Sequence, residues 1–208
     1  IEDISSEGQG IGRHEGMAVF VPGVVWGDTV LAEITKVKKT YAFARLAEIT
    51  QPSKHRSESH CTYESCGGCS LRDTKYAAQL ELKEKQVKDK LTRLAGIESP
   101  VLEPIIGMEV PYNYRNKAQM PVSTGGVITR KGGILENLGE PQIGFFEGKS
   151  HRVVDCEYCR LQLPTAMAAA GALRQFMLED NITAWDPKWE KGLMRHLIVK
   201  TAVNTGEV

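Results

Sequence analysis

Five cysteines carry the most specific chemistry in this chain: Cys61, Cys66 and Cys69 within "CTYESCGGCS", and Cys156 and Cys159 within "DCEYC". The first three have C-x4-C-x2-C spacing, and the other two form a C-x2-C about 90 residues later. Two chelating pairs could build a tetrahedral zinc site with Cys61 as an extra thiol. Three plus one could instead hold an iron-sulfur cluster, whose irons take four thiolates. Five buried thiols without metal are the plain alternative, yet three cysteines beside Gly67 and Gly68 would fill a core poorly. Glycines suit a cluster, because backbone lacking Cβ can approach the sulfides and donate N–H groups to them. The spacing also opens like a plant-type ferredoxin, so an electron carrier competes on this ground. Such carriers are small single domains, and here a β-rich segment and many basic residues are attached.

A second group is basic. Lys36, Lys38, Lys39, Arg45, Lys54 and Arg56 fall in one stretch relieved only by Glu48, although 26 basic and 26 acidic residues balance over the whole chain. A local basic surface can bind phosphate whatever the total charge. The ordinary alternative is a solvated strand face whose lysines discourage edge pairing. "GQGIG" at Gly8 to Gly12 resembles a phosphate loop only superficially, since a turn and a strand follow it instead of a helix.

The elements that must position these groups follow from patterning. The chain has 208 residues, enough for one large or two small domains, with 41% hydrophobic and 25% charged residues. No apolar run approaches the roughly 18 residues of a membrane span, and the polar N-terminus shows no secretion signal. The expected location is cytoplasmic, where clustered thiols are more often metal ligands than disulfides. The chain begins at Ile1 without methionine and stops within a strand-like pattern, which reads as a piece of a longer protein. Residues 1–53 alternate like several short strands, suggesting a small OB-like barrel. A polar linker, "QPSKHRSESH", comes next. Residues 74–95 predict a helix with Leu80, Val87, Leu91 and Leu94 on its apolar face and Gly96 as C-cap. Strands return between about 100 and 160 in "VITRKGGI", "QIGFF" and "HRVVDC". A helix is expected over 164–179, opened by Pro164, and then a strand in "GLMRHLIVKTAV". The fold class is β-rich α+β: an OB-like barrel, then a mixed α/β domain.

Several motifs occur together in order: "CGGC" after an upstream cysteine, "YAAQL" from Tyr76 with Lys83 in the same helix, and "YRNKAQMPV" at 114–122. "IGFFEGKSHRVVD" at 143–155, a cysteine shortly before "LQ", and "RHLIVKT" at 195–201 follow. In this the chain resembles the RNA 5-methyluridine methyltransferases, specifically the 23S ribosomal RNA branch with an N-terminal TRAM domain and a [4Fe-4S] cluster. The resemblance implies a TRAM RNA-binding domain over 1–53 and a central cluster-bearing domain over 54–208. It implies Cys61, Cys66, Cys69 and Cys159 as cluster ligands, with Cys156 a small buried hydrophobe where the family commonly has an aliphatic residue. The first cysteine gap is four here and commonly five in the family, which keeps zinc in view.

The family reaction moves a methyl group from S-adenosylmethionine to C5 of a uridine in RNA. A cysteine thiolate adds to C6, the resulting enolate attacks the sulfonium methyl, and a base removes the C5 proton. The target base must leave its stack. The resemblance places nucleophile, base and S-adenosylmethionine site in a C-terminal domain beyond this chain, so no catalytic residue is expected here. Cys156 has no visible base partner and is not a nucleophile. The implied partner is ribosomal RNA, with no membrane and no protein partner.

Within that reading, Arg115, Asn116, Lys117 and Gln119 at the start of a strand offer a fork for phosphate, amides for base edges and a point charge. Arg195 and His196 are placed similarly. Salt bridges at strand ends compete with RNA contact for each of them. The basic strands of the first domain, with Lys36, Lys38, Lys39 and Arg45, would serve the same purpose. One of Phe145 and Phe146 must face outward, where it could stack on an unpaired base. Two other function classes remain: a non-catalytic zinc or cluster RNA-binding module, and a ferredoxin-like electron carrier.

Overall fold

The computed structural model describes residues 1–58, 61–124, 127–129, 135–137 and 139–208. The chain divides into two compact units, Ile1–His60 with Cys69–Glu109, and Cys61–Gly68 with Val110–Val208. The division differs from the expected boundary at residues 53 and 54.

The first unit holds β1 (Asp3–Ile4), β2 (Gly10–His14), β3 (Met17–Val21), β4 (Thr29–Val37), β5 (Tyr41–Gln51) and the helix α1 (Tyr76–Arg93). Its strands form one sheet in the order β1-β2-β3-β5-β4, antiparallel except for the parallel β3–β5 pairing. The expected all-β stretch is present, but the barrel is not closed: β1 and β4 are the edges of the sheet. A two-residue β1 offers too few backbone groups to pair along the nine-residue β4. Val19, Val21, Val24, Ala42 and Ala44 form the buried core, with Ile1, Met17, Val30, Ala32 and Leu46 packed around them. A Cβ on Gly10 would lie 2.1 Å from Cγ2 of Val24, so this glycine of "GQGIG" serves packing.

Asp28 ties two loops of this unit together. Its carboxylate, with no side-chain exposure, accepts from Val25 N–H at 2.7 Å, Ser53 N–H at 2.8 Å and Arg56 at 2.5 and 3.3 Å. Burial pushes the carboxyl upward, but the Arg56, Val25 and Ser53 hydrogen bonds outweigh it and hold Asp28 below the usual carboxylate value. Arg56, grouped by sequence with the basic stretch, is thereby part of the scaffold. Trp26 and His55 stack beside it at 4.7 Å.

Helix α1 corrects the expected apolar face. Ala78 and Leu82 are buried, while Val87 is 50% and Leu94 82% exposed. The reason is polar: one turn beyond Leu82, Lys85 bonds Asp3 at 2.6 Å and Gln86 donates to the Ile4 carbonyl at 3.2 Å. Polar contacts thus fix the docked side, which apolar periodicity cannot register. Gly96 stops the helix as expected, with φ +70° and the Ile97 N–H bonded back to the Leu91 carbonyl at 3.1 Å.

The second unit contains β6 (Lys117–Thr124), a ribbon of β7 (Val127–Thr129) and β8 (Leu135–Asn137), β9 (Pro141–Phe146), β10 (Val153–Asp155), α2 (Pro164–Glu179) and β11 (His196–Lys200). Residues 130–134 of the expected "VITRKGGI" strand lie outside the described residues. The main sheet runs β10-β9-β6-β11, with every pairing antiparallel. Ala118, Met120 and Val122 of β6, Ile143 of β9 and Val199 of β11 meet Ala166, Ala170 and Met177 of α2 in the core. Helix α2 occupies the expected span. Pro164 sits in its first turn, and Asn181 leaves the helix at φ +52° while Ile182 N–H bonds the Met177 carbonyl.

Candidate functional site

The loop 61–68 is fastened to the end of β9 by backbone. Gly67 N–H donates to the Phe146 carbonyl at 2.9 Å and Gly148 N–H to the Ser65 carbonyl at 3.3 Å, with a bridge between Cys66 and Glu147. A Cβ on Gly67 would stand 2.9 Å from Gly148 backbone, so only glycine permits this approach. The Tyr63 hydroxyl accepts the Glu157 N–H at 3.0 Å, and Arg115 donates to the Gly68 carbonyl at 3.3 Å. Arg115, expected at RNA, is therefore half-buried and engaged in holding this loop.

Gly68 N–H points at Cys66 Sγ, 3.5 Å away, the kind of donation that its position beside the thiols suggests. Cys156 is 1% exposed, as expected for a small buried group, but it is not inert filling. A hydrogen bond with Cys66, followed by burial, pushes its thiol far above the usual range, and Cys159 adds to the rise. The Val154 carbonyl lies 3.3 Å from Cys156 Sγ and accepts its single S–H. Cys61 and Cys159 are half-buried, and Cys69, which belongs to the first unit, is exposed. Among the described residues, no three or more His, Cys, Asp or Glu side chains are grouped as ligands for a metal ion. Cys66 and Cys159 are the thiols whose neighbourhood raises that of Cys156.

The face of the second unit's sheet opposite α2 collects the other expected residues. In β6, Ala118 and Met120 are buried and Lys117 and Gln119 are exposed. The register sets Lys117 opposite Lys200, Gln119 opposite Ile198 and Pro121 opposite His196, so these pairs share one side. Asn116 and Arg195 are exposed at the strand ends, and His196 is half-buried. The Asn116 carbonyl accepts from Thr201 N–H at 2.8 Å and the Arg195 carbonyl from Val122 N–H at 3.0 Å, so the backbone of both residues is held at the ends of the β6–β11 pairing. Lys117 and Lys200 line a cavity of about 370 Å³ with Asn116, Thr201 and Glu207. Lys200 was not singled out from sequence, though the alternation of "HLIVK" places it with His196 and Ile198. On β9, Phe145 packs into the core while Phe146 is 38% exposed and meets His151 edge-on at 5.5 Å. In the first unit, Lys36, Lys38 and Lys39 are exposed, and Arg45 pairs with Glu33 at 2.5 Å.

Residues 1–47 match the family model of the TRAM domain. Over its full length the chain is 37% identical to an uncharacterized RNA methyltransferase of Clostridium tetani and 39% identical to another of Caldanaerobacter subterraneus, covering 43% of each. The chain thus spans less than half the length of these curated relatives. Its fold is similar to the crystal structure of Pyrococcus abyssi tRNA (uracil-54, C5)-methyltransferase in complex with S-adenosyl-L-homocysteine. The TM-score is 0.64 at 24% identity, over 97% of this chain and 44% of the other.

Proposed function

We propose that this chain is the RNA-holding part of a cytoplasmic, S-adenosylmethionine-dependent RNA (uracil-5-)methyltransferase acting on 23S ribosomal RNA. The carrying observation is the outward side of β6 and β11, where Lys117, Gln119, His196 and Lys200 share one face, with Asn116 and Arg195 exposed just beyond the strand starts. Lysines there neutralise phosphates, and amides can reach base edges. The TRAM match over 1–47 and the RNA methyltransferase relatives support the same reading. In this proposal residues 1–53 are the TRAM domain, with Lys36, Lys38, Lys39 and Arg45 contributing phosphate contacts, and residues 54–208 are the central domain.

S-adenosylmethionine would supply the methyl group, and the proposal assigns its site, the nucleophile and the base to no residue of this chain. What this chain contributes is binding energy and orientation, presenting an unstacked uridine to chemistry elsewhere. Arg115 has a positioning part: it holds the Gly68 carbonyl, coupling the start of β6 to the thiol loop. Cys61, Cys66, Cys69 and Cys159 remain the proposed [4Fe-4S] ligands. With no redox step in the methyl transfer, the group would staple this loop to the segment carrying Cys159.

The test is RNA binding followed by anisotropy with a fragment of 23S ribosomal RNA over a salt series. Binding should weaken steeply with salt, and the complete protein should transfer methyl to C5 of a uridine. Salt-independent binding, or none, rules out the RNA-holding role.

A further inference from the structure

The outer side of the first unit's sheet carries a group of rings. Val19 and Val21 of β3, and Ala42 and Ala44 of β5, are buried, so Phe20, Tyr41, Phe43 and Arg45 stand on the opposite side. The parallel register sets Phe20 beside Phe43 and Ala18 beside Tyr41. Ring centroids lie 5.7 Å apart for Phe20 and Tyr41, 5.8 Å for Phe20 and Phe43, and 5.4 Å for Tyr41 and Phe43. Two of the three contacts are edge-to-face, and all three residues are only half-buried. The rings lie away from the apolar core, and their mutual packing leaves them in contact with solvent.

The flanking strands place charge on both sides of the rings. Register sets Arg13 of β2 opposite Ala18, and Lys36 of β4 opposite Phe43. From β2 through β3 and β5 to β4 are three strand spacings, about 14 Å. Apolar rings between cations are the arrangement that single-stranded nucleic acid requires: π-faces for bases and positive charge for the phosphates on either side. Arg13 meets Glu2 at 3.5 Å and donates to the Gly16 carbonyl at 3.3 Å, exposed contacts of the weak kind that a phosphate can replace, and cross-strand ring packing alone would steady the sheet without Lys36 beside it.

We infer that Phe20, Tyr41 and Phe43 form a stacking platform for an unpaired base of single-stranded RNA, with Arg13 and Lys36 contacting the adjacent phosphates. The inference rests on the RNA-holding reading and deepens it. Duplex RNA is a poor ligand for the platform, because its bases are stacked and their faces hidden. Stacking does not discriminate strongly among bases, so the platform adds affinity and little sequence preference.

The test uses the 208-residue chain and a fluorescein-labelled oligouridine. Phe43→Leu and Tyr41→Leu should each weaken binding about 5- to 100-fold, from roughly 1–3 kcal/mol per stacked base at 1.4 kcal/mol per tenfold. Their salt dependence should match the parent's, because no phosphate contact is removed, whereas Lys36→Gln should lower the salt slope by about one. Duplex binding should not change. In the unaltered chain, ring-selective NMR should show these three side chains shifting with oligouridine and not with heparin, a polyanion without bases. Unmoved ring resonances under saturating oligouridine overturn the platform, as do leucine variants that melt and bind like the parent. No RNA binding by the parent removes the proposed function as well, while normal parental binding with unaffected variants removes the platform alone.

Discussion

Replacing Asp28 with asparagine should destabilise the first unit through a countable loss. Two carboxylate oxygens now serve four donors: Val25 N–H, Ser53 N–H and two positions on Arg56. Asparagine keeps one acceptor and turns an amide N–H₂ toward groups that are themselves donors. Breaking a buried ion pair by removing one partner costs about 3–5 kcal/mol, and the 21% exposure of the Arg56 side chain argues for the lower end. A loss of about 3 kcal/mol lowers the melting temperature by about 6–12 °C in a chain of this size. The pH dependence carries a second signature. Asp28 lies below its ordinary value of 3.8 in the folded state, so its contribution is present above that value and is lost as pH falls through the folded one. Thermal melts by circular dichroism from neutral to acid pH should show this acid-labile component in the parent and not in Asp28→Asn. A variant melting within 2 °C of the parent at neutral pH would refute the account of Asp28 as the joint between the 24–28 loop and residues 53–56.

Lys200→Ala and Lys117→Ala should each lower the salt slope of RNA binding by about one, read by anisotropy at several salt concentrations, and an unchanged slope removes that lysine from the interface. Cys159→Ser should abolish the visible absorbance and iron of anaerobically purified protein while Cys156→Ser retains them. The reverse outcome moves the fourth ligand to Cys156, and stoichiometric zinc without colour replaces the cluster by zinc. Met120→Ala should cost about 2–5 kcal/mol by chemical denaturation, because Met120 is fully buried between sheet and helix.

What the sequence conveyed and what it hid divide along physical lines. Helix α2 was legible because its signals are local: Pro164 at the start and Asn181 at the stop. The outward turn of Phe146 was half legible; alternation demanded that one phenylalanine face out, but only the core packing of Phe145 decides which. Apolar periodicity catches only part of the docked face of α1, because Lys85 and Gln86 fix it by polar bonds to Asp3 and Ile4, more than 80 positions away. The open edge of the first sheet depends on the length of β1, which no propensity reveals in "EDIS". For the site, spacing points to the thiols and the strand start, yet it cannot say that Arg115 bends to the Gly68 carbonyl or that Cys156 lies buried near Cys66. The aromatic platform was invisible for a related reason, since Phe20 and Phe43 become neighbours only through a parallel pairing of strands separated by β4.

The fastening of loop 61–68 to β9 bears on how a bound group would be loaded. Backbone bonds at Gly67 and Gly148 fix the position of Cys66 against the end of β9 without help from its side chain. The ordering entropy of that thiol is then spent during folding and need not be charged against binding. Uptake should accordingly resemble filling a prepared seat, with little change in hydrogen-exchange protection at Gly67. Release should leave the loop in place, ready to be refilled.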